Sequence, residues 1–367
     1  MDMANKLRVG VIYGGRSGEH EVSLRSARSV IEALDADKYE VIPLGVTRAG
    51  RWLAGAAAKA LLPPEAQKAL PEKADGTASA LATLNPTGAD AAQLDVVIPV
   101  LHGTYGEDGT IQGMFEMAGV PYVGCGVLAS ACGMDKVTMK VLFKDAGLPM
   151  CRHTWFLRSA WEQERAATLR RVADEIGFPC FVKPANLGSS VGISRATDEA
   201  SLAQAIDLAA RYDRRILVEE GLDIREIEVA VMGNDEPLAS LPGEYIVHDK
   251  SNAFLDYTEK YAGTGHNEFV VPAPISPELT AQLQAMAKTA FKAVDGAGLA
   301  RVDFFILRNT SELLINEINT MPGLTDVSGW PKMWAASGYP LRQALDKLIE
   351  LALERHAEKA RNEVGLV

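Results

Sequence analysis

The sequence predicts a fold of two or three domains that combines helices and strands and begins with an α/β domain. A chain of 367 residues is long enough for that number of compact units, at roughly 100–200 residues each. Residues 7–13 are predicted to form an apolar strand. A glycine pair and then an amphipathic helix over residues 21–34 follow it. This order is typical of the start of an α/β domain that binds a ligand at its strand ends. Two apolar strands within residues 301–319, joined by a polar turn, indicate an antiparallel hairpin towards the other end.

The composition is that of an ordinary globular enzyme, and it narrows the possible partners. Hydrophobic residues make up 47% and charged residues 23% of the chain, which is enough for a sizeable core. The formal net charge of -11 argues against nucleic acid and against an anionic membrane surface as partners. The four cysteines form no CxxC pair, and no apolar run approaches the roughly 20 residues of a membrane helix. Because no signal-peptide pattern is present, we expect a cytoplasmic protein with reduced cysteines.

The hairpin carries polar side chains that suggest a metal site. Arg301 and Asp303 share one face of the first strand, as Glu317 and Asn319 do on the second. Folding the hairpin about Thr310 places Asp303 opposite Glu317 and Arg301 opposite Asn319. Two carboxylates directly opposite each other repel, and Mg²⁺, which prefers oxygen ligands of this kind, would remove the repulsion. The alternative is a surface hairpin whose polar face is only solvated.

The remaining elements are predicted from periodicity and turn residues. Strands are expected at residues 40–46, 94–103 and 120–125, and Pro99 places the second of these at a sheet edge or a bulge. Helices are expected over residues 110–117, 127–145, 161–176, 199–211, 276–293 and 341–360, the last of them for packing alone. Residues 53–93 are rich in Ala, Pro and Gly, which favours a surface excursion with a short helix or two.

Two polar residues of the N-terminal part lie where an α/β domain binds ligands. Glu19 is at the start of the first helix, where it either complements the helix dipole or anchors the amine of a ligand. His102 ends a strand beside a glycine-rich loop, and a structural role is as well supported there as a functional one.

The middle of the chain has the features of a phosphate site. The strand at residues 178–184 carries Lys183 at its end, and the following loop contains Gly188, Ser189 and Ser190. Small residues let backbone N–H groups approach an anion, although a plain hairpin turn explains the same pattern. The connection at residues 218–226 can contact adenine through its backbone while a carboxylate holds the ribose. Its candidate carboxylates are Glu219, Glu220, Glu226 and Glu228. Residues 248–268, which include Lys260 and Tyr261, form a long aperiodic loop that we interpret as a lid.

Taken together, these segments resemble the D-alanine–D-alanine ligases of the ATP-grasp superfamily. The motifs GGRSGEHEVS, HGTYGEDGTIQG, MDK, VKPANLGSSVG, EKY, RVD and NEINTMPG occur in the order found in that family. The resemblance implies an α/β and α+β protein with a three-domain ATP-grasp fold: an N-terminal α/β domain, a central α+β domain and a C-terminal domain, with ATP between the last two. The expected domains are residues 1–134, 135–224 and 225–367.

The resemblance also implies roles for individual residues. The nucleotide would meet Lys136, Lys183, Ser190, Glu219, Glu220, Leu222, Glu226 and Lys260. Two Mg²⁺ ions, which Mn²⁺ can replace, would be held by Asp303, Glu317 and Asn319. The substrates would meet Glu19, His102, Arg301, Ser328 and Gly329. Catalysis would involve Glu19, Ser189, Tyr261, Arg301 and the N–H of Gly323.

The implied reaction joins two D-alanines at the expense of ATP, through an acyl phosphate, for peptidoglycan precursor synthesis. Tyr261 favours the dipeptide over the ester with D-lactate, and a homodimer is expected from the family. The alternatives are a sister ligase with D-lactate or D-serine as acceptor, a nucleotide-binding oxidoreductase, and a catalytically silent ATP-binding protein.

Overall fold

The computed structural model describes residues 6–70, 94–247, 267–363 and 365. The strands are β1 Leu7–Gly14, β2 Tyr39–Val46, β3 Trp52–Ala54, β4 Val96–Pro99, β5 His153–Leu157, β6 Cys180–Pro184, β7 Ser194–Ala196, β8 Arg215–Glu220, β9 Ile224–Gly233, β10 Leu238–Ala239, β11 Gly243–Val247, β12 Asn267–Val270, β13 Gly298–Leu307 and β14 Leu313–Asn319. The helices are α1 His20–Ala33, α2 Gly55–Lys59, α3 Pro64–Lys68, α4 Thr110–Ala118, α5 Val127–Met134, α6 Lys136–Asp145, α7 Arg158–Gln163, α8 Arg165–Glu175, α9 Glu199–Ala209, α10 Pro277–Ala293, α11 Gly329–Ala336 and α12 Leu341–Lys359. The strands form three separate sheets.

The first sheet has the strand order β3-β2-β1-β4, in which β1 pairs with β2 and β4 in parallel. The predicted opening strand, glycine pair and helix are confirmed: Gly14, the last residue of β1, and Gly15 both have positive φ, and α1 begins at His20. Pro99 lies in β4, the last strand of this sheet, as expected of a residue that lacks an N–H donor.

The strand predicted at residues 120–125 is wrong. Only Tyr122 forms a bridge, with Val97 of β4. The proline at position 121 cannot donate a ladder hydrogen bond, and Gly124 adopts a φ of 102° that leaves the extended region. The surface excursion was expected to contain a short helix or two, and α2 and α3 confirm this, whereas residues 71–93 lie outside the described part.

Two long predicted helices are each broken into a pair. The predicted helix over residues 127–145 divides into α5 and α6 at Asp135, which has extended backbone and caps α6 by accepting from the Thr138 N–H. The carboxylate of Asp135 also accepts from Arg215 at 2.7 Å, so a tertiary contact holds the break. The helix expected over residues 161–176 divides similarly into α7 and α8 at Glu164.

The second sheet is antiparallel, with the order β5-β8-β6-β7, and α7, α8 and α9 cover it. It places Lys183 in β6 directly beside Leu217 of β8. The predicted return of the chain after the glycine-rich loop is confirmed, because β6 and β7 pair as an antiparallel hairpin.

The third sheet follows the order β12-β11-β9-β13-β14, and β10 also pairs with β9. Helix α10 packs on it through a core that includes Leu283 and Phe291. Helices α11 and α12 contribute to a second core that reaches the first sheet through Val9 and Ile98. Helix α11 was not expected from the sequence. None of the described helices is long and apolar enough to cross a membrane.

Candidate active site

The hairpin of β13 and β14 pairs as the sequence predicts near its open end. Asp303 is opposite Glu317 and Arg301 is opposite Asn319. A bulge next to this pair shifts the register, so that Phe304 is opposite Ile315 and Asn316 is the extra residue. The two polar pairs therefore lie between the bulge and the open end of the hairpin.

Three carboxylates form a row across neighbouring strands. Asp303 on β13 lies between Glu317 on β14 and Glu228 on β9, which pairs with β13 on the other side. Only 7% of Asp303 and 3% of Glu228 are exposed to solvent. Like charges in this arrangement repel strongly unless cations compensate them, because a buried site screens them poorly.

Arg301 supplies part of that compensation. Its Nε and Nη2 donate to the two carboxylate oxygens of Asp303, each at 2.7 Å, and its Nε lies 3.3 Å from Glu228 Oε1. The Asn319 amide nitrogen donates to Asp303 Oδ2 at 3.1 Å. The repulsion that suggested a metal ion is thus reduced by a basic side chain from the same strand.

Lys136 approaches the other end of the row from α6. Its Nζ lies 3.2 Å from Glu317 Oε2 and donates to the carbonyl oxygen of Leu187 at 2.9 Å. Burial alone would raise the pKa of Glu317, but Lys136, Lys183 and Arg301 outweigh it and lower the pKa to about 2. Glu317 is therefore ionised at neutral pH.

A second ionic cluster lies between β6, β8 and α6. The carboxylate of Glu219 is 2.5 Å from Lys183 Nζ and 2.6 Å from Lys140 Nζ. Burial would raise the pKa of Glu219, but the two lysines outweigh it and hold the pKa well below its usual range. Burial would likewise lower the pKa of Lys183, and Glu219 and Glu317 outweigh it and raise that pKa.

The glycine-rich loop over residues 186–193 lies against this centre. Ser189 and Ser190 both have left-handed backbone, with φ values of 54° and 57°. Such conformations cost free energy for residues with a side chain and often occur at ligand-binding loops. A Cβ on Gly188 would lie 3.7 Å from Glu19 Oε1, so the loop reaches the start of α1.

Glu19 lies at the N-terminus of α1 and its side chain does not cap the helix. Burial and the charge of Glu107 raise the pKa of Glu19 to about 7, against the opposing effects of His102, Arg301 and Lys136. Gly103 has a φ of 73°, and a Cβ there would lie 3.0 Å from Glu19 Oε2. A carboxylate this poorly solvated favours a cationic ligand, and the sequence left that choice open.

His102 is buried between the first and third sheets. Its Nδ1 lies 3.1 Å from the carbonyl oxygen of Met321, which can only accept, so Nδ1 carries a hydrogen. Its Nε2 lies 3.0 Å from Ser26 Oγ, and Glu107 Oε1 is 3.7 Å from Nδ1. Burial would lower the pKa of His102, but Glu107 outweighs it and raises that pKa.

The segment after β14 contains Gly323 and ends at Ser328 and Gly329, where α11 begins. Ser328 Oγ accepts from the Thr325 N–H at 3.2 Å and lies 2.7 Å from Thr325 Oγ1. A Cβ on Gly329 would lie 2.5 Å from Glu228 Oε2. A side chain at position 329 would therefore have to displace the Glu228 carboxylate.

The residues predicted to contact adenine and ribose do not form one cluster of interacting side chains. Arg152 holds the Glu220 carboxylate through its N–H and its Nε, at 2.7 and 2.8 Å. Leu222 lies in the short connection between β8 and β9, and Glu226 is half-buried on β9. The two lid residues, Lys260 and Tyr261, lie outside the described residues.

One cleft brings together predicted site residues of α6, the glycine-rich loop and β14. The described lining includes Glu107, Lys136, Gly188, Glu317 and Asn319. Glu107 and Lys140 were not predicted as site residues, and Glu228 was predicted only as a candidate for the ribose. Glu107 could have been found as the first of the two acidic residues in the motif HGTYGEDG. Lys140 could have been found because it lies four residues after Lys136, on the same buried face of α6.

The donors at this centre fit magnesium. Asp303, Glu317 and Asn319 offer carboxylate and amide oxygens, the ligands of a hard cation, and Asn319 contacts Asp303 directly. No group of three His, Cys, Asp or Glu side chains suited to a metal ion is found among the described residues. A magnesium ion here would thus depend on phosphate oxygens as well, which is its usual manner of binding.

Comparisons with known proteins agree with this arrangement. The family model for the D-ala D-ala ligase N-terminus matches residues 8–125, and that for the C-terminus matches residues 142–350. A D-alanine–D-alanine ligase of Heliobacterium modesticaldum is 50% identical over 97% of both chains. That of Natranaerobius thermophilus is 46% identical over 97% of this chain and 98% of its own length.

Solved structures show the same likeness. The D-alanine-D-alanine ligase from Coxiella burnetii has a TM-score of 0.79 and 36% identity, covering 97% of this chain and 98% of its own. The VanG D-Ala:D-Ser ligase from Enterococcus faecalis has a TM-score of 0.81 and 34% identity, covering 95% of this chain and 100% of its own.

The three sheets and the ionic centre between them define an ATP-dependent ligase with the ATP-grasp fold. This assignment excludes the oxidoreductase suggested by the opening strand, glycine pair and helix. The chain belongs to the D-alanine–D-alanine ligase family.

Proposed function

We propose a role for each predicted site residue in the reaction of this family. The chain is an ATP-dependent D-alanine–D-alanine ligase and serves peptidoglycan precursor synthesis. The carboxylate of one D-alanine attacks the γ-phosphoryl group of ATP, which gives an acyl phosphate and ADP. The amine of a second D-alanine then attacks the acyl carbon, and phosphate leaves.

The first D-alanine binds through its ammonium to Glu19. The support for this assignment is the raised pKa of Glu19, about 7, since an ammonium partner stabilises a poorly solvated carboxylate in its charged form. His102 lies beside this site, and Ser189 and Tyr261 complete its hydrogen bonds. Gly103 has left-handed backbone, and a Cβ at this position would lie only 3.0 Å from Glu19 Oε2, which favours glycine beside this carboxylate.

The nucleotide phosphates bind Lys136, Lys183, Ser190 and the N–H groups of the glycine-rich loop. Lys260 reaches the γ-phosphate from the lid. Lys136 and Lys183 are supported in this role by their burial and by their acidic partners, which hold the two ammonium groups in place.

Adenine meets the segment from Glu219 to Leu222, and Glu226 holds the ribose. We assign the adenine contact to the backbone of Glu220 and Leu222. The carboxylate of Glu220 is already bound by Arg152, and that of Glu219 lies between two lysines.

Two Mg²⁺ ions, replaceable by Mn²⁺, bind Asp303, Glu317 and Asn319. When bound, they neutralise charge on the phosphoryl group that is transferred. Arg301 and the Gly323 N–H donate to the oxyanion of the tetrahedral intermediate, where losing one donor typically lowers the rate by about 10²–10³-fold. Ser328 and Gly329 bind the carboxylate of the second D-alanine.

The acceptor is D-alanine rather than D-serine or D-lactate. The relatives named above differ on this point, because one of the solved structures is described as a D-Ala:D-Ser ligase. Tyr261 supports the dipeptide, and we expect Tyr261→Phe to increase ester formation from D-lactate. Competition between the three acceptors, with the products separated by mass, tests both statements. Unchanged product ratios in the variant would contradict the role of Tyr261.

For the quaternary structure, the location and the domain boundaries we keep the expectations drawn from the sequence. We propose a cytoplasmic homodimer with domains at residues 1–134, 135–224 and 225–367, each of which contains one of the three sheets apart from the first residue of β9.

One observation carries the proposal: the row of three carboxylates ends at Glu317, which pairs with the buried Lys136 of α6 at 3.2 Å. A coupled ADP-release assay tests it. ADP should form from ATP and Mg²⁺ only when D-alanine is added, and D-alanyl-D-alanine should appear in equal amount. ADP release without D-alanine, or none with it, would contradict the assignment and would favour an ATPase or a silent ATP-binding protein.

A further inference from the structure

Lys140 on α6 is a buried lysine that has no role in the proposed reaction. Only 2% of the residue is exposed, and lysines are rarely buried to this degree. Its Nζ lies 2.6 Å from Glu219 Oε1, and no acceptor among the described residues meets hydrogen-bond geometry with that nitrogen. The ion pair with Glu219 is therefore the interaction that holds the Lys140 ammonium.

Glu219 has a second cationic partner, which makes Lys140 unnecessary for neutrality. The other carboxylate oxygen, Oε2, lies 2.5 Å from Lys183 Nζ. Two ammonium groups and one carboxylate carry a net charge of +1. Burying a further lysine is unfavourable, so a cluster that needed only to be neutral would contain Lys183 alone.

The additional positive charge of Lys140 has an effect when Lys183 binds a phosphate. To donate to an anionic oxygen, the Lys183 ammonium must weaken its contact with Glu219. A buried carboxylate that loses its cation is strongly disfavoured. A cation that remains on the opposite oxygen removes this penalty, and Lys140 occupies that place.

We propose that Lys140 is a positioning residue, which holds the charge of Glu219 so that Lys183 is free to bind the phosphates of ATP. This inference rests on the proposed contact between Lys183 and the nucleotide. Lys140 lies on the far side of Glu219 and acts through that carboxylate. Its loss would leave Glu219 and Lys183 as a closed ion pair that competes with the nucleotide for the ammonium.

The test compares nucleotides with and without phosphates. Met is unbranched and fills the space of a lysine stem, so Lys140→Met removes the charge with little change of packing. We expect the variant to bind ATP and ADP about 10–100-fold more weakly, and adenosine less than about 3-fold more weakly. The KM for ATP should rise by a similar factor, while the KM for D-alanine stays within about 3-fold. The matched control is Lys144→Met, an exposed position on the same helix, which should leave all of these values unchanged.

A double variant separates the positioning role from a structural one. In Lys140→Met/Glu219→Gln, the neutral amide no longer holds Lys183, so ATP binding should recover at least about 5-fold relative to Lys140→Met. Additive losses in the double variant, or equal weakening of ATP and adenosine in the single one, would overturn the inference. Lys140→Gln, which also removes the charge but keeps a polar side chain at this position, provides the measurement if Lys140→Met does not fold.

Lys183→Met distinguishes failure of this inference from failure of the proposed function. If Lys183→Met weakens ATP binding and Lys140→Met does not, only the role of Lys140 is wrong. If Lys183→Met leaves ATP binding unchanged, the phosphate contact itself is wrong, and the role of Lys140 is then wrong with it.

Discussion

Asp303 and Glu317 lie directly opposite each other on β13 and β14, immediately beside a bulge at which the register of the hairpin shifts. The carboxylate of Asp303 receives two hydrogen bonds from Arg301, whereas Glu317 is paired with Lys136 from a helix. The two carboxylates are thus adjacent but are compensated by cations from different elements. This division makes their roles separable by substitution.

Glu317→Gln should lower kcat by about 10²–10³-fold, because it removes a charged oxygen donor from the proposed magnesium site. The Mg²⁺ concentration that gives half-maximal activity should rise as well, which a titration at saturating ATP and D-alanine measures. Glu312→Gln, in the exposed turn of the same hairpin, is the control and should behave as the unchanged protein. Equal Mg²⁺ dependence in the two variants would show that Glu317 is not a ligand.

Glu19 should impose a pH dependence on the use of D-alanine. The pKa of Glu19 is raised to about 7 in the substrate-free protein by burial and by Glu107. Below that pH the carboxyl is neutral and cannot pair with an ammonium. We expect kcat/KM for D-alanine to fall by about tenfold per pH unit below 7, since this ratio follows the ionisation of the free enzyme. Glu19→Gln should be much less active and should lack this limb of the profile.

The same raised pKa affects stability. A carboxyl with a raised pKa contributes stability that is complete below its unfolded value, near 4.5, and is lost as the pH rises through about 7. Glu19→Gln, which never ionises, should therefore gain thermal stability relative to the unchanged protein at pH 8 but not at pH 4.5. Melting temperatures at the two pH values measure this, and a difference of the opposite sign would argue against a buried, poorly solvated Glu19.

Arg301→Lys should lower kcat by about 10²-fold with a small effect on the KM values. The guanidinium of Arg301 donates to both oxygens of Asp303, and a lysine ammonium cannot reproduce this planar pair of bonds. The proposed oxyanion donor would then be misplaced. Steady-state kinetics with both substrates measure the effect, and the exposed Arg308→Lys provides the control. If kcat is unchanged and only KM rises, Arg301 contributes to binding and not to the transition state.

Leu348→Ala should reduce the free energy of unfolding by about 2–5 kcal/mol, the usual cost of removing a fully buried leucine. Leu348 has no solvent exposure and lies in the core that joins α12 to the first sheet. Denaturant unfolding measures the loss. Lys347→Ala, its exposed neighbour on α12, should change stability by no more than about 0.5 kcal/mol. A loss below about 1 kcal/mol in Leu348→Ala would mean that α12 contributes little to holding the first sheet.

Local sequence patterns were sufficient for much of the fold. The pairing of Asp303 with Glu317 followed from side-chain alternation and the position of the turn, and the structure confirms it. The opening strand and helix followed from an apolar run and a glycine pair. Each of these features depends on residues that are close in the chain, and hydrogen bonding over short distances repeats with a known period.

The breaks in the two predicted helices, and the absence of the strand predicted at residues 120–125, did not follow from such patterns. The predicted helix over residues 127–145 looked continuous, but Asp135 leaves helical backbone, and its carboxylate is held by Arg215 from β8. The apolar run at residues 120–125 suggested a strand, although Tyr122 alone forms a bridge. In both cases a contact or a backbone constraint overrode the local preference.

By itself, the sequence determined which chemical groups stand at the ends of its strands and in what order, and this was enough to indicate the family. Only the tertiary structure decided which charges meet. The approach of Glu228 to Asp303 and the contact of Lys140 with Glu219 each join segments far apart in the chain. Strand alternation and helical periodicity say which way a side chain points, but not which distant element packs against it. That choice depends on how whole sheets and helices bury their apolar faces, and it determines the cation that compensates each carboxylate.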